Sequence, residues 1–223
     1  TYGLSPQADI QVSEVSTDGL STQFTLRLRG RSLRAGVALP GVHQALNATA
    51  ALAIADELGL NLAQACASLA GFEGDARRFQ LLPTADAPKD VVDDYAHHPS
   101  EVAHTLTAAR IAFSERRLIA AFQPHRFSRV RDLTERFGTV FDQADEVWIT
   151  DIYPAGEAPI PGIRAEALAR HIRACGHRRV HYVGSQADLI AYARSELKDN
   201  DACLCMGAGD ISQSAMAIAN LDA

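Results

Sequence analysis

Within six consecutive positions, Asp93, Asp94, Tyr95, His97 and His98 set two carboxylates, a phenol and two imidazoles side by side. Such a cluster can accept from hydroxyls, move protons or ligate a metal. A second cluster, Gln123, His125, Arg126 and Arg129, adds guanidinium groups that can grip a carboxylate or phosphate at two points. His43 and Asn47 are four apart and share one face near a helix start, where the macrodipole favours electron-rich ligands. The same two residues also suit local hydrogen bonding. The run 71–79 carries two glycines and ends in Arg77, Arg78 and Phe79, which reads as a hinge or linker bearing a phosphate-capable group.

The neighbours of the first cluster say how it is held. Val91 and Val92 enter it as a strand, and Pro99, Ser100 and Glu101 leave it as a helix start. Pro99 fits the first helical position and Glu101 suits the positive end of the dipole. Val102, Leu106, Ala109 and Phe113 then repeat at helical spacing, which predicts one buried stripe. The cluster therefore lies on a strand-to-helix turn, at the carboxyl end of a strand, where ligands collect in parallel sheets. Further strands are predicted at 118–122, 147–150, 180–183 and 202–206, alternating with helices, so this part is expected to be a mostly parallel, doubly wound α/β domain. Polar or glycine-rich residues at 123–129, 151–157 and 207–210 follow strand ends and complete a ligand-binding rim.

Upstream, Ile10 and Val12, then Phe24, Leu26 and Leu28, then Leu33, Ala35, Val37 and Leu39 alternate with polar residues around turns at Asp18-Gly19 and Gly30. That pattern predicts a small antiparallel sheet with one wet face. Residues 42–58 form a helix closed by Gly59, and 62–70 a second one capped by Asn61.

A net charge of -6 argues against a partner bound by phosphate neutralisation, so no nucleic acid is expected. No apolar run reaches the roughly 18 residues of a membrane span, and no signal peptide is visible. Cys66, Cys175, Cys203 and Cys205 lack zinc-site spacing, and Cys203 and Cys205 alternate as strand residues of a reduced interior, which points to the cytoplasm. Gly207-Ala208-Gly209 is a weak nucleotide signal, since the third glycine of a dinucleotide fingerprint is missing. Asp93, Asp94, His97, His98 and His125 could instead serve a metal-dependent phosphoesterase, but the i, i+4 histidine spacing of zinc enzymes is absent, so no metal ligand is assigned. The first methionine is Met206, from which the chain is expected to belong to a longer protein.

Five stretches now combine: Pro-Gly-Val-His-Gln-Ala-Leu-Asn-Ala-Thr-Ala-Ala at 40–51, Arg-Arg-Phe at 77–79, Asp-Asp-Tyr-Ala-His-His-Pro at 93–99, Phe-Gln-Pro-His-Arg at 122–126 and Ala-Gly-Glu-Ala-Pro-Ile-Pro-Gly at 155–162. In this order they resemble the C-terminal half of a Mur ligase of peptidoglycan synthesis, over essentially the whole chain. The last two are typical of the alanine-adding member. A recycling member that adds a tripeptide to the same UDP sugar shares the turn at 93–99 and stands as the alternative.

The resemblance implies that residues 1–78 are the C-terminal part of a central ATP-binding domain and 79–223 the Rossmann-like ligase domain. It implies ATP, UDP-N-acetylmuramate and L-alanine as ligands: ATP phosphorylates the muramoyl carboxylate, and the amine displaces phosphate. By resemblance Asn47 meets the adenine with His43 beside it, Arg78 the phosphates, and Asp94 the ribose hydroxyls. Tyr95, His97, His98, His125 and Arg126 face the amino acid and the acyl phosphate, with Arg78, His97, His98 and Arg126 as the catalytic set. Gln44 stands where the family usually has Asn, with the same donor and acceptor groups. Lys89 and Lys198 are the only lysines and neither follows a glycine, so the P-loop and the Mg²⁺ ligands are expected upstream of Thr1.

Overall fold

The computed structural model describes residues 1–72, 74–84 and 89–221. Glu73, inside the run read as a hinge, lies outside the described residues. The chain divides into two compact units, Thr1–Gly74 and Asp75–Ala223.

In the first unit the strands β1 (Tyr2–Gly3), β2 (Ile10–Asp18), β3 (Ser21–Leu28) and β4 (Arg31–Val37) form one sheet in that order. The three long strands are antiparallel, as their alternation predicts, while the short β1 pairs parallel to β2. The buried face carries Val12, Phe24, Leu26, Leu28 and Ala35. Against it pack Ala45, Ala48, Leu52 and Ala55 of α1 (Val42–Glu57) and Leu62 of α2 (Leu62–Ala70). A fully buried side chain the size of Phe24 or Leu26 contributes about 1.5–3 kcal/mol, and this face holds the unit's buried cluster. The Asn61 side chain accepts from the Gln64 N–H, the cap expected of it. Thr22 fixes the entry to α1: its buried hydroxyl donates to the Leu39 carbonyl at 2.8 Å and accepts from the Gly41 N–H at 2.9 Å.

The second unit holds six strands: β5 (Gln80–Leu82), β6 (Asp90–Asp94), β7 (Leu118–Phe122), β8 (Glu146–Thr150), β9 (Val180–Gly184) and β10 (Ala202–Met206). Their order is β5-β6-β10-β7-β8-β9, and all pairs are parallel except β5 with β6. Strand alternation sends neighbouring side chains to opposite layers. Val92, Ala120, Ile149 and Leu204 face the layer of α3 (Pro99–Ala112), α4 (Phe127–Phe137) and α5 (Ala165–Ala174). Val91, Ile119, Trp148 and Cys205 face α6 (Gln186–Glu196) and α7 (Ile211–Ala219). The sheet is thus doubly wound. Since β10 inserts between β6 and β7, and its helix α7 leaves on the face opposite α3 and α4, a crevice opens at the carboxyl ends of these three strands.

The amino-terminal edge of the sheet has its charges matched. Arg117 bonds Glu146 at 2.8 Å and Asp201 at 3.0 Å, and the Trp148 indole donates to Glu146 at 2.8 Å. That edge is sealed; the opposite one carries the polar turns. Among the described residues no helix is long and apolar enough to cross a membrane.

Candidate active site

The turn from β6 to α3 is built by its own polar groups. Asp94 is buried, with Oδ1 accepting from the Ala96 N–H at 2.7 Å and Thr105 Oγ1 at 3.3 Å, and Oδ2 from the Phe79 N–H at 2.8 Å. Burial raises its pKa, against the pull of those donors. His98 caps α3: its Nδ1 lies 2.8 Å from Ser100 Oγ, and Glu101 accepts from the N–H groups of both His97 and His98 at 3.0 and 3.1 Å. Burial pushes the Glu101 carboxyl up, but those two N–H groups outweigh it and the net shift is downward. His97 Nδ1 reaches the Tyr95 carbonyl at 3.0 Å and Glu101 Oε2 at 3.4 Å. The Tyr95 ring meets His97 edge-on.

The β7 end brings the second cluster to the first. His97 and His125 have ring centroids 5.7 Å apart. His125 stacks on Tyr153, whose backbone bridges back through Tyr153 N–H to Pro124 O and Arg126 N–H to Tyr153 O, both at 2.8 Å. Arg129 donates to His125 Nδ1 at 2.9 Å. Desolvation, followed by the charges of Arg129, His97 and Arg126, pushes the His125 pKa down to about 4. Arg126 opens α4 at φ 68°, and its exposed guanidinium makes no hydrogen bond or ion pair among the described residues. Buried Gln123 ties this end to β10's: its Nε2 donates to Asp210 at 2.6 Å and its Oε1 accepts from the Ile211 N–H at 3.2 Å. Gly209 sits so close to Tyr153 that an added Cβ would fall 2.6 Å from the ring.

Arg77 and Arg78 diverge. Arg78 is exposed, over the Tyr95 ring at 5.4 Å. Arg77 turns inward, to the Gly207 carbonyl at 2.5 Å, the Tyr95 ring at 4.9 Å and Asp93 at 3.6 Å. Burial raises the Asp93 pKa, opposed by Arg77. In the first unit, exposed Asn47 lines an apolar cavity of about 280 Å³ with Val37, Ala48, Ala51, Leu69 and Phe72. His43 lies one turn earlier on α1.

The clusters at β6 and β7, 28 positions apart in sequence between His97 and His125, thus form one constellation with Tyr153, Gln123 and Arg77. None of those last three was given a role from the sequence, although each lay in a run singled out there: Gln123 in the second cluster, Tyr153 in the rim segment 151–157 and Arg77 beside Arg78. Among the described residues no three His, Cys, Asp or Glu side chains converge as a metal site. Asp94 and His98 show why, since their ligating atoms are held by the turn itself.

Residues 77–209 match the family model described as Mur ligase, glutamate ligase domain. The chain belongs to the Mur ligase family. It is 45% identical over 215 residues to UDP-N-acetylmuramate–L-alanine ligase of Geobacter sulfurreducens, covering 96% of this chain and 46% of that protein. It is 47% identical over 213 residues to the Anaeromyxobacter enzyme of the same name, covering 95% and 46%. The chain therefore spans about half the length of these curated relatives. Among solved structures, UDP-N-acetylmuramate-alanine ligase from Thermotoga maritima aligns with a TM-score of 0.79 at 27% identity, over 96% of this chain and 45% of that one. A murein peptide ligase from Psychrobacter arcticus shares the Mur ligase fold, with a TM-score of 0.65 at 24% identity over 97% and 45%.

Proposed function

We propose that this chain supplies the C-terminal half of an ATP-dependent ligase that joins L-alanine to UDP-N-acetylmuramate in the cytoplasm. The observation that carries the reading is the 45% identity, over 96% of this chain, to a relative named as an alanine ligase. The exposed Arg126 guanidinium, close enough for its charge to act on His125, supports it, because a planar two-point donor matches an amino-acid carboxylate.

In this reading a muramoyl carboxylate, a poor electrophile, receives the γ-phosphoryl group of ATP, and the alanine amine then expels phosphate. The transfer is governed by positioning and charge stabilisation. Asn47 and His43 hold the adenine end, where the apolar cavity on α1 suits a flat base. Arg78 meets the phosphates and Asp94 the ribose. Tyr95, His97, His98, His125 and Arg126 face the amino acid and acyl phosphate. Mg²⁺ accompanies the ATP in this reading, and none of the residues named above is assigned to it.

The test is phosphate release by the full-length gene product given ATP, UDP-N-acetylmuramate and L-alanine. Release that requires L-alanine is expected. Release that instead requires a tripeptide would assign the chain to the recycling branch, and no amino-acid dependence would overturn the reading altogether. The 223 residues alone are expected not to hydrolyse ATP, because no P-loop motif cradles the phosphates.

A further inference from the structure

The two histidines that meet at the rim carry opposite tautomers, and the atoms around them fix which is which. A backbone carbonyl accepts only, so the 3.0 Å contact of His97 Nδ1 with the Tyr95 carbonyl puts a hydrogen on Nδ1. In the neutral ring Nε2 is then bare, an acceptor. At His125 the logic reverses. A guanidinium donates only, so the 2.9 Å contact from Arg129 makes His125 Nδ1 the acceptor and leaves the hydrogen on Nε2. The groups behind the rings differ in charge in the same sense. Glu101 Oε2 stands 3.4 Å from His97 Nδ1 and would partner a positive ring, whereas Arg129, with Arg126 beyond it, opposes a positive charge on His125. The other groups facing the pair are Tyr95, edge-on to His97 with Arg77 and Arg78 over its ring, Tyr153, stacked on His125, and Glu157, which acts on His125 more weakly than Arg129 and Arg126 do; Arg78 also acts on Glu101, more weakly than His97 does. Two neighbouring imidazoles held in opposite tautomers present one accepting and one donating nitrogen to whatever lies between them.

We infer that His97 is the proton acceptor and His125 the neutral hydrogen-bond donor of the amide-forming step. The inference rests on the ligase reading above. An amino acid arrives as an ammonium ion and cannot attack until it loses a proton. His97 Nε2 takes that proton, and Glu101 partners the resulting imidazolium. The freed amine forms the C–N bond to the acyl carbon while the C–O bond to phosphate breaks; the phosphate leaves with that electron pair, and the second proton lost by the nitrogen goes to the departing phosphate. The charge that develops on oxygen is met by His125 Nε2–H, which donates without giving its proton away. Protonation of the His125 ring is opposed, since it would add a third positive charge to those of Arg126 and Arg129.

The two roles separate under one substitution. Glutamine retains a donor but cannot accept a proton near neutral pH. In the full-length enzyme, His97→Gln should lower kcat with alanine by about a hundredfold or more, the usual scale of general-base loss. His125→Gln should retain at least about a third of it, as the donor survives. Hydroxylamine is the second nucleophile, since it is already unprotonated at neutral pH. His97→Gln should form hydroxamate at close to the wild-type rate, which also shows that the variant is folded. Wild-type alanine turnover in His97→Gln, equal loss with both nucleophiles, or a His125→Gln defect as deep as that of His97→Gln would each overturn the assignment. If the wild-type enzyme itself makes no amide with alanine, the ligase reading fails instead, and the two failures are distinct.

Discussion

His125 lies nearly parallel to Tyr153, with ring centroids 5.5 Å apart and planes 15° from coplanar, while Arg129 holds its Nδ1 at 2.9 Å. Burial and that cation keep the ring neutral, with a pKa of about 4 against an ordinary 6.5. Nitrogen-15 NMR of the enzyme should therefore find His125 as the Nε2–H tautomer and still neutral at pH 5.5, and Arg129→Ala should move its titration upward. The linkage has a definite sign. Below pH 6.5 the unfolded chain takes up a proton that the fold refuses, so His125 removes stability progressively as the pH falls from 6.5 through about 4, and has no such effect above. A ring already charged at pH 6 would contradict this.

Gly209 separates a packing requirement from mere crowding. Its absent Cβ would meet Tyr153 Cγ at 2.6 Å and the Gln123 carboxamide, and Gln123 is pinned by Asp210 and the Ile211 N–H. Gly209→Ala should cost about 1–3 kcal/mol, as overpacking does, and displace the His125 stack. At Gly36 an added Cβ meets only the end of the exposed Gln23 side chain, which can rotate away. Gly36→Ala should cost less than about 1 kcal/mol. Urea unfolding of both variants gives the comparison, and equal losses would defeat it.

Asp94 gives the third expectation. Three donors converge on its two oxygens. In Asp94→Asn one oxygen becomes an NH₂, which sets donor against donor at the Phe79 N–H or at the Ala96 N–H. The loss should be about 1–3 kcal/mol, the cost of a buried unsatisfied group. The ribose assignment adds a raised KM for ATP at temperatures where the variant is still folded. Denaturation and ATP kinetics on the one variant read the two effects separately.

These residues also mark how far sequence reading reaches. Strand-to-helix turns were legible because Pro99 and Glu101 announce α3 and because Val91 and Val92 show the two-sided burial of a central strand. β5 escaped notice, since its three residues, Gln80–Leu82, are too few to show a period. The central place of β10 is a matter of long-range pairing, which no local pattern encodes. The same holds for the inward turn of Arg77 and for the Tyr153 face against His125. His98 was singled out for its residue type; that its Nδ1 also caps α3 follows from local backbone geometry, which residue type does not announce. Cys203 and Cys205 are the buried strand residues expected, whereas Cys175 is exposed at the end of α5.

Arg126 carries the last expectation. An ion pair across the rim would have made it structural, but two rim carboxylates are bonded elsewhere: Asp151 accepts from the Tyr182 hydroxyl at 2.5 Å, and Glu157, which feels the Arg126 charge without an ion-pair contact, accepts from Ser128 Oγ at 2.6 Å and from its N–H at 3.0 Å. Its backbone, by contrast, is fixed, with φ at 68° and the N–H donating to the Tyr153 carbonyl at 2.8 Å. A rigid base bearing an exposed guanidinium suits a ligand grip. Lysine at this position tolerates the same φ no worse and keeps the charge, but it loses the planar two-point hold and so misplaces the attacking amine. Arg126→Lys should therefore lower kcat/KM for alanine at least about tenfold, or roughly 1.4 kcal/mol, with the KM for ATP and the melting temperature unchanged. A lowered melting temperature with normal alanine kinetics would return Arg126 to a structural role.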